Sequence, residues 1–149
     1  MKTLIYKHLQ RIGFVFISLL ITFLITMGPL QKVDAFNVLP WLDIPFHIWG
    51  GLLLGLLAVN LIFIIDILRG GKFLLKGKSD HAIKFMIFVI SFVLFWGLVW
   101  EAWEFYMYIS HHFIKWGGTL DTIKDLFDDI VGGILAYLYY IKVINKNSK

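Results

Sequence analysis

The chain contains no cysteine. That excludes a disulfide framework, a zinc–thiolate site and a cysteine nucleophile. It also lacks a His-Glu-x-x-His zinc helix, a Ser-His-Asp constellation, a deaminase-type zinc pattern and any glycine-rich loop able to cradle a phosphate. The familiar hydrolase and nucleotide-binding signatures are therefore missing. Room for a separate soluble domain is missing too, because long apolar blocks fill most of the 149 residues.

What is present is hydrophobic: 59% of residues are apolar and 17% are aromatic, where a soluble domain is nearer half apolar. Four apolar blocks run over about 11–30, 46–68, 83–108 and 126–144. Each is about the length of helix that crosses a bilayer core of ~30 Å. The expectation is an all-α integral membrane four-helix bundle, one transmembrane domain over residues 1–149. Gln31–Pro45, Arg69–Ala82 and Ile109–Asp125 connect the blocks, and such short connections favour antiparallel neighbours.

The cations orient the spans. Lys2, Lys7 and Arg11 precede the first. Arg69, Lys72, Lys76, Lys78 and Lys84 lie in or beside the middle connection, and Lys142, Lys146 and Lys149 follow the last. Eleven of the fourteen basic residues thus share one side, leaving Lys32, Lys115 and Lys124 opposite. The positive-inside rule places both termini in the cytoplasm of a bacterial cell, with the chain multi-pass in the cytoplasmic membrane. The net charge of +4 is then a consequence of topology and implies no nucleic-acid partner. Contact of these residues with anionic lipid heads is a compatible secondary role. A rival reading of the first span is a secretory signal cleaved after Ala35, where Val33-Asp34-Ala35 precedes Phe36. The span is long for that, and Pro29, Gln31, Lys32 and Asp34 make a poor approach to the cleavage site.

In this orientation nearly all the acids collect at the outer end. Asp43 and His47 open the second span, although Pro45 leaves its first residue open. Glu101 and Glu104 close the third. Asp121, Asp125, Asp128 and Asp129 open the fourth. The spacings of three and four put each set on one helix face. A carboxylate facing hydrocarbon is costly, so these faces should turn inward, and an ionisable residue at that depth points to function. Plainer readings exist for several of them. The glutamates can snorkel to water beside an aromatic belt of Trp100, Trp103, Tyr106 and Tyr108. Asp121 and Asp125 are ordinary helix-start residues, and His111 and His112 read as solvated loop residues. Asp128 and Asp129 lie beyond the first turn and are harder to dismiss.

A short repeat links two of the sets. Residues 43–51 read DIPFHIWGG and residues 125–133 read DLFDDIVGG. A duplication would make His47 and Asp129 equivalent and set them facing each other across the bundle. The glycines of both segments are read as packing devices that bring helices close together.

The inward set Asp43, His47, Glu101, Glu104, Asp125 and Asp129, with Asp128 as a further ligand candidate, holds too many like charges for a dry bundle. A divalent metal ion would relieve them, with His47, Glu101, Glu104, Asp125 and Asp129 as the expected metal ligands; one imidazole among oxygens suits Mn, Mg, Ca or Zn. A polar cell-envelope ligand such as a lipid headgroup is the other occupant considered. Two alternatives stand beside a binding role. One is a metal-dependent hydrolase or transferase acting on a lipid-linked substrate, with metal-activated water and a carboxylate base. The other is a non-enzymatic structural or regulatory subunit whose acids pair with a partner's cations. No catalytic residue is singled out by spacing.

Three motifs also resemble the VanZ-like superfamily of small bacterial membrane-spanning proteins. They are Asp43-x-x-x-His47 with its glycines, Trp100-Glu-x-x-Glu104-Phe, and Asp121-x-x-x-Asp125-Leu-x-x-Asp129-x-x-Gly132-Gly133. The likeness covers roughly the second to fourth spans, and members often carry Asn where Asp129 stands. The resemblance implies a bundle of four to five spans with an outward polar site. One branch is associated with glycopeptide resistance at the cell surface.

Overall fold

The computed structural model describes residues 2–30, 35–70, 79–111 and 117–147. Lys32, Asp34, Lys72, Lys76, Lys78, His112 and Lys115, read above as connection residues, lie outside this set. The described residues are helical almost throughout. Helix α1 is Lys2–Ile25, continued by a π-helical turn over Thr26–Leu30; α2 is the short Ala35–Val38; α3 is Asp43–Leu68, entered through a 3₁₀ turn at Pro40–Leu42; α4 is Ser79–His111; α5 is Thr119–Asn147. The helices are longer than the apolar blocks because their polar ends go on coiling. Helix geometry needs only backbone hydrogen bonds, whereas the blocks mark what is hydrophobic.

Local chemistry explains the ends. Pro29 lacks an N–H and its ring crowds the preceding turn, and the wider π turn accommodates both. Thr26 Oγ1 donates to the carbonyls of Thr22 and Phe23, at 3.1 and 2.9 Å. Pro45 falls in the first turn of α3, where the missing N–H would be unpaired in any case. The helix therefore starts at Asp43, and Asp43 and His47 stand one turn apart on one face. Gly70 after α3 and Gly118 before α5 take positive φ, 86° and 90°.

Paired residues give the helix directions. His8 meets Asn60 and Thr22 meets Trp49, so α1 and α3 run antiparallel. Glu101 meets Thr122 and Phe85 meets Tyr140, so α4 and α5 do likewise. His47 meets Asp129 and Gly55 meets Ala136, so α3 and α5 run the same way. The start of α3, the end of α4 and the start of α5 thus converge at one end of the bundle.

The close approach of α3 and α5 depends on glycine. A Cβ on Gly51 would fall inside the backbone of Asp129, and one on Gly132 inside the backbone of Ile48 and Leu52. Below this contact lies the apolar core. Ala58, Val59, Phe85, Val89, Tyr137 and Tyr140 form one cluster, and Val15, Leu53 and Leu57 form a second that secures α1. At the end of α3 away from the acids, Asp66 is buried while Arg69 is exposed. Outward faces are greasy: Phe14 is 71% exposed and Phe95 59%. Those exposures fit lipid as solvent.

Among the described residues, three stretches are long and apolar enough to cross a membrane: Ile5–Leu30, Pro40–Leu68 and Ala82–Ser110. Helix α5 is as long but more polar. It turns its acids into the bundle, with Asp125, Asp128 and Asp129 all under 9% exposed.

Candidate functional site

The converging helix ends bring together residues far apart in sequence around His47. Its Nε2 lies 3.6 Å from Asp43 Oδ1 and 3.8 Å from Asp125 Oδ2, and its Nδ1 lies 3.3 Å from Asp129 Oδ1. The helix spacing puts Asp43 one turn before His47 on α3, and the same spacing puts Asp125 one turn before Asp129 on α5. The glycine-mediated contact then lets the two faces meet.

Lys124 ties the carboxylates from outside. Its Nζ lies 3.1 Å from Asp43 Oδ2 and 3.0 Å from both Asp121 Oδ1 and Asp125 Oδ1. Each of Asp43 and Asp125 therefore gives one oxygen to the lysine and turns the other toward His47. Burial disfavours the Lys124 ammonium, but its bonds to Asp121, Asp125 and Asp43 outweigh that and raise its pKa above the ordinary lysine value. Asp125 is the most enclosed member at 3% exposure. Its Oδ1 has the charge of Lys124 nearby but accepts no hydrogen bond of ordinary geometry.

The glutamates stand farther along the same end. Glu101 is buried, and its Oε2 accepts a 2.7 Å bond from Thr122 while Oε1 has no hydrogen-bond partner among the described residues. Glu104 accepts a 3.0 Å bond from the indole N–H of Trp100. Asp128 is also buried, its Oδ2 without a hydrogen-bond partner among the described residues. Among the described residues, the group whose ligand atoms lie within 4.8 Å of one another is Asp43, His47 and Asp125. Glu101, Glu104 and Asp129 are outside that group, though Asp129 touches its imidazole.

A cavity of about 670 Å³ opens beside this cluster, within the size range of small-molecule sites, ~300–1,000 Å³. One wall is polar: Asp43, His47, Glu104, Asp121, Lys124, Asp125 and Asp129. The other is apolar, with Leu19 and Phe23 from α1 and Met27 and Leu30 from the π turn that continues it, joined by Phe46, Leu54 and Trp96. Glu101 and Asp128 do not line it.

Two features escape a reading of the sequence. Lys124 reads there as one of three outer cations, although its spacing from Asp121 and its adjacency to Asp125 were available signals. The second is at the opposite end, where His8 Nδ1 lies 2.8 Å from Asn60 Oδ1, both residues being 5% exposed. His8 also stacks on Phe63 at 4.7 Å. A lone Asn inside an apolar span was the signal, because such a group must find a partner.

The chain belongs to the DUF2238 family, described as predicted membrane protein, whose model matches residues 6–146. No curated protein and no solved structure matches it.

Proposed function

We propose that this protein holds a divalent cation on His47 Nε2 and one oxygen each of Asp43 and Asp125, at the outer face of a bacterial cytoplasmic membrane. The distances around Nε2 carry the reading. At 3.6 and 3.8 Å they are too long for hydrogen bonds. They are close to the edge of a tetrahedron with metal–ligand bonds of about 2.1 Å, which is roughly 3.4 Å. Buried ligand atoms held just beyond bonding distance of one another are what a shared ion would draw together.

The surroundings support it. An imidazole protonated on Nδ1 would donate to Asp129 and present its Nε2 lone pair to the ion, and a carboxylate behind a ligating imidazole is the usual supporting arrangement. Lys124 holds the outer oxygens of both aspartates and so fixes the inner ones. Three protein ligands leave a position open, as in catalytic zinc sites, and His47, Asp43 and Asp125 all line the cavity. One imidazole with two carboxylates suits zinc or manganese.

That open position favours a second reading, a metal-dependent hydrolase or transferase acting on a lipid-linked substrate. The ion would acidify a bound water, and Glu104 in the cavity wall is the carboxylate available as base. The VanZ-like resemblance of the three motifs is in keeping with an outward polar site under either reading. With α5 as a fourth span, the cation bias sets both termini in the cytoplasm. The absence of native cysteine makes this simple to test. Thr119→Cys should react with an impermeant thiol reagent from outside, and Arg69→Cys only after the membrane is opened.

The decisive experiment is elemental analysis of detergent-purified protein dialysed against zinc, manganese, magnesium and calcium in turn. We expect about one ion per chain in the wild type. Asp43→Asn and Asp125→Asn should lose it, while Glu101→Gln, whose carboxylate is occupied with Thr122, should keep it. A metal-free wild type under every condition overturns the proposal. Loss in Glu101→Gln with retention in Asp43→Asn would assign the ion to the glutamates instead.

A further inference from the structure

We infer that the cavity beside His47 binds one membrane lipid with an ammonium-bearing headgroup, admitted from the bilayer between α1 and α4. The inference rests on the acidic end being a cation site, and not on which cation the aspartates hold.

The first observation is the division of the walls. A water-soluble ligand would leave the apolar wall wet, which is unfavourable. Leu19, Phe23, Met27, Phe46, Leu54 and Trp96 face that half of the cavity. An acyl chain fills such a space and a polar metabolite does not.

The second is the way in. Helix α1 packs chiefly on α3. Its Phe23 meets α4 at ring-centroid distances of 6.1 Å to Trp100 and 6.0 Å to Trp103. Side-chain rings, with no close backbone packing, stand between the cavity and the bilayer on this side. Rotation of Phe23 would widen this side for a chain whose remaining length stays among the lipids.

The third is charge. Five acids line the cavity (Asp43, Glu104, Asp121, Asp125 and Asp129) against two bases, Lys124 and His47. A bound divalent ion would still leave the wall negative. Asp125 is 3% exposed and lines the cavity, its single cationic neighbour Lys124 being shared with Asp43 and Asp121. Trp100 and Tyr108 at the same end add aromatic faces of the kind that favour an organic cation. An ammonium head complements this wall, and a purely anionic head is repelled by it.

The test is native mass spectrometry of the full chain, equilibrated with equal amounts of phosphatidylethanolamine and phosphatidylglycerol carrying the same acyl chains. Metal content is measured on the same samples. We expect one retained phosphatidylethanolamine per chain, favoured about tenfold, a discrimination of ~1.4 kcal/mol. Leu19→Trp, which fills the apolar half, should lose the lipid and keep the metal. Met27→Trp serves in its place if Leu19→Trp does not accumulate. Glu104→Gln with Asp121→Asn should erase the preference between the two lipids, and chelation should leave the adduct in place. Equal retention of the two lipids by the wild type, or an adduct that survives filling of the cavity, overturns the inference. So does loss of the adduct on chelation, which would mean a head bound through the metal. A wild type that holds phosphatidylethanolamine but no metal sinks the metal centre alone.

Discussion

His47 and Asp129 stand 82 positions apart in sequence and 3.3 Å apart in space, Nδ1 to Oδ1. The contact exists because Gly51 lets the backbone of α5 approach α3 at Asp129 itself. Packing and site are therefore one feature. The glycine that seats α5 also delivers the carboxylate that orients the imidazole.

Removing that carboxylate should loosen the proposed metal ion without breaking the fold. Asp129→Asn is expected to weaken zinc or manganese affinity about 10–100-fold, the usual effect of losing a supporting partner behind a ligating His. Competition with a chelating dye would measure it. An unchanged affinity would show that His47 needs no orienting group.

Gly51→Ala should be among the most damaging small substitutions in the chain. Its Cβ would overlap the Asp129 backbone, and the displacement should cost about 1–3 kcal/mol or more. Thermal unfolding in detergent is the measurement, and metal binding should weaken in the same variant. Gly13→Ala, where nothing lies within 4 Å of the added atom, is the control and should be neutral or slightly stabilising.

At the other end, Asn60→Ala should strand His8. The ring would lose its 2.8 Å partner while buried on α1, a loss of about 1–3 kcal/mol. The change should detach α1 first, since apart from the Trp49–Thr22 hydrogen bond its other contacts with α3 are apolar. Hydrogen exchange should rise along α1 while α3 and α5 stay protected. Uniform exchange along all helices would contradict this.

Lys124 predicts a pH dependence with a definite sign. Its folded pKa lies above the unfolded 10.5. The stabilisation it gives is fully present below that value and is lost as pH rises through the higher folded value. Metal retention should therefore show no Lys124-linked fall from neutrality up to the ordinary lysine range. Lys124→Gln should retain less metal than the wild type across that whole range. A wild-type loss near neutrality that Lys124→Gln abolishes would contradict the sign.

Much of the site was legible because its signals are local. Asp43 and His47, and Asp125 and Asp129, are each one helical turn apart, and carboxylates inside apolar sequence must turn inward. The glutamates were harder to place. Their spacing is as good as that of the aspartates, yet Glu101 bonds to Thr122 and Glu104 to Trp100. Which of several inward acids surrounds the imidazole depends on helix rotation and on the rise between neighbours, and spacing within one helix does not encode either. Asp43 was recognised as a pocket residue but not as a member, with His47 and Asp125, of the group whose donor atoms lie within 4.8 Å of one another, for the same reason.

By itself, then, the sequence determined the class of this protein and the end of the bundle where its polar groups gather. Hydrophobic length, helical period and the distribution of cations act within single segments, so they can be read one segment at a time. Only the tertiary structure decided that α3 and α5 touch through Gly51 and Gly132, that Lys124 reaches three aspartates, and that α1 lends an apolar wall to the cavity beside them. Those are relations between segments, and they follow from how closely two backbones can approach once each side chain has taken its volume.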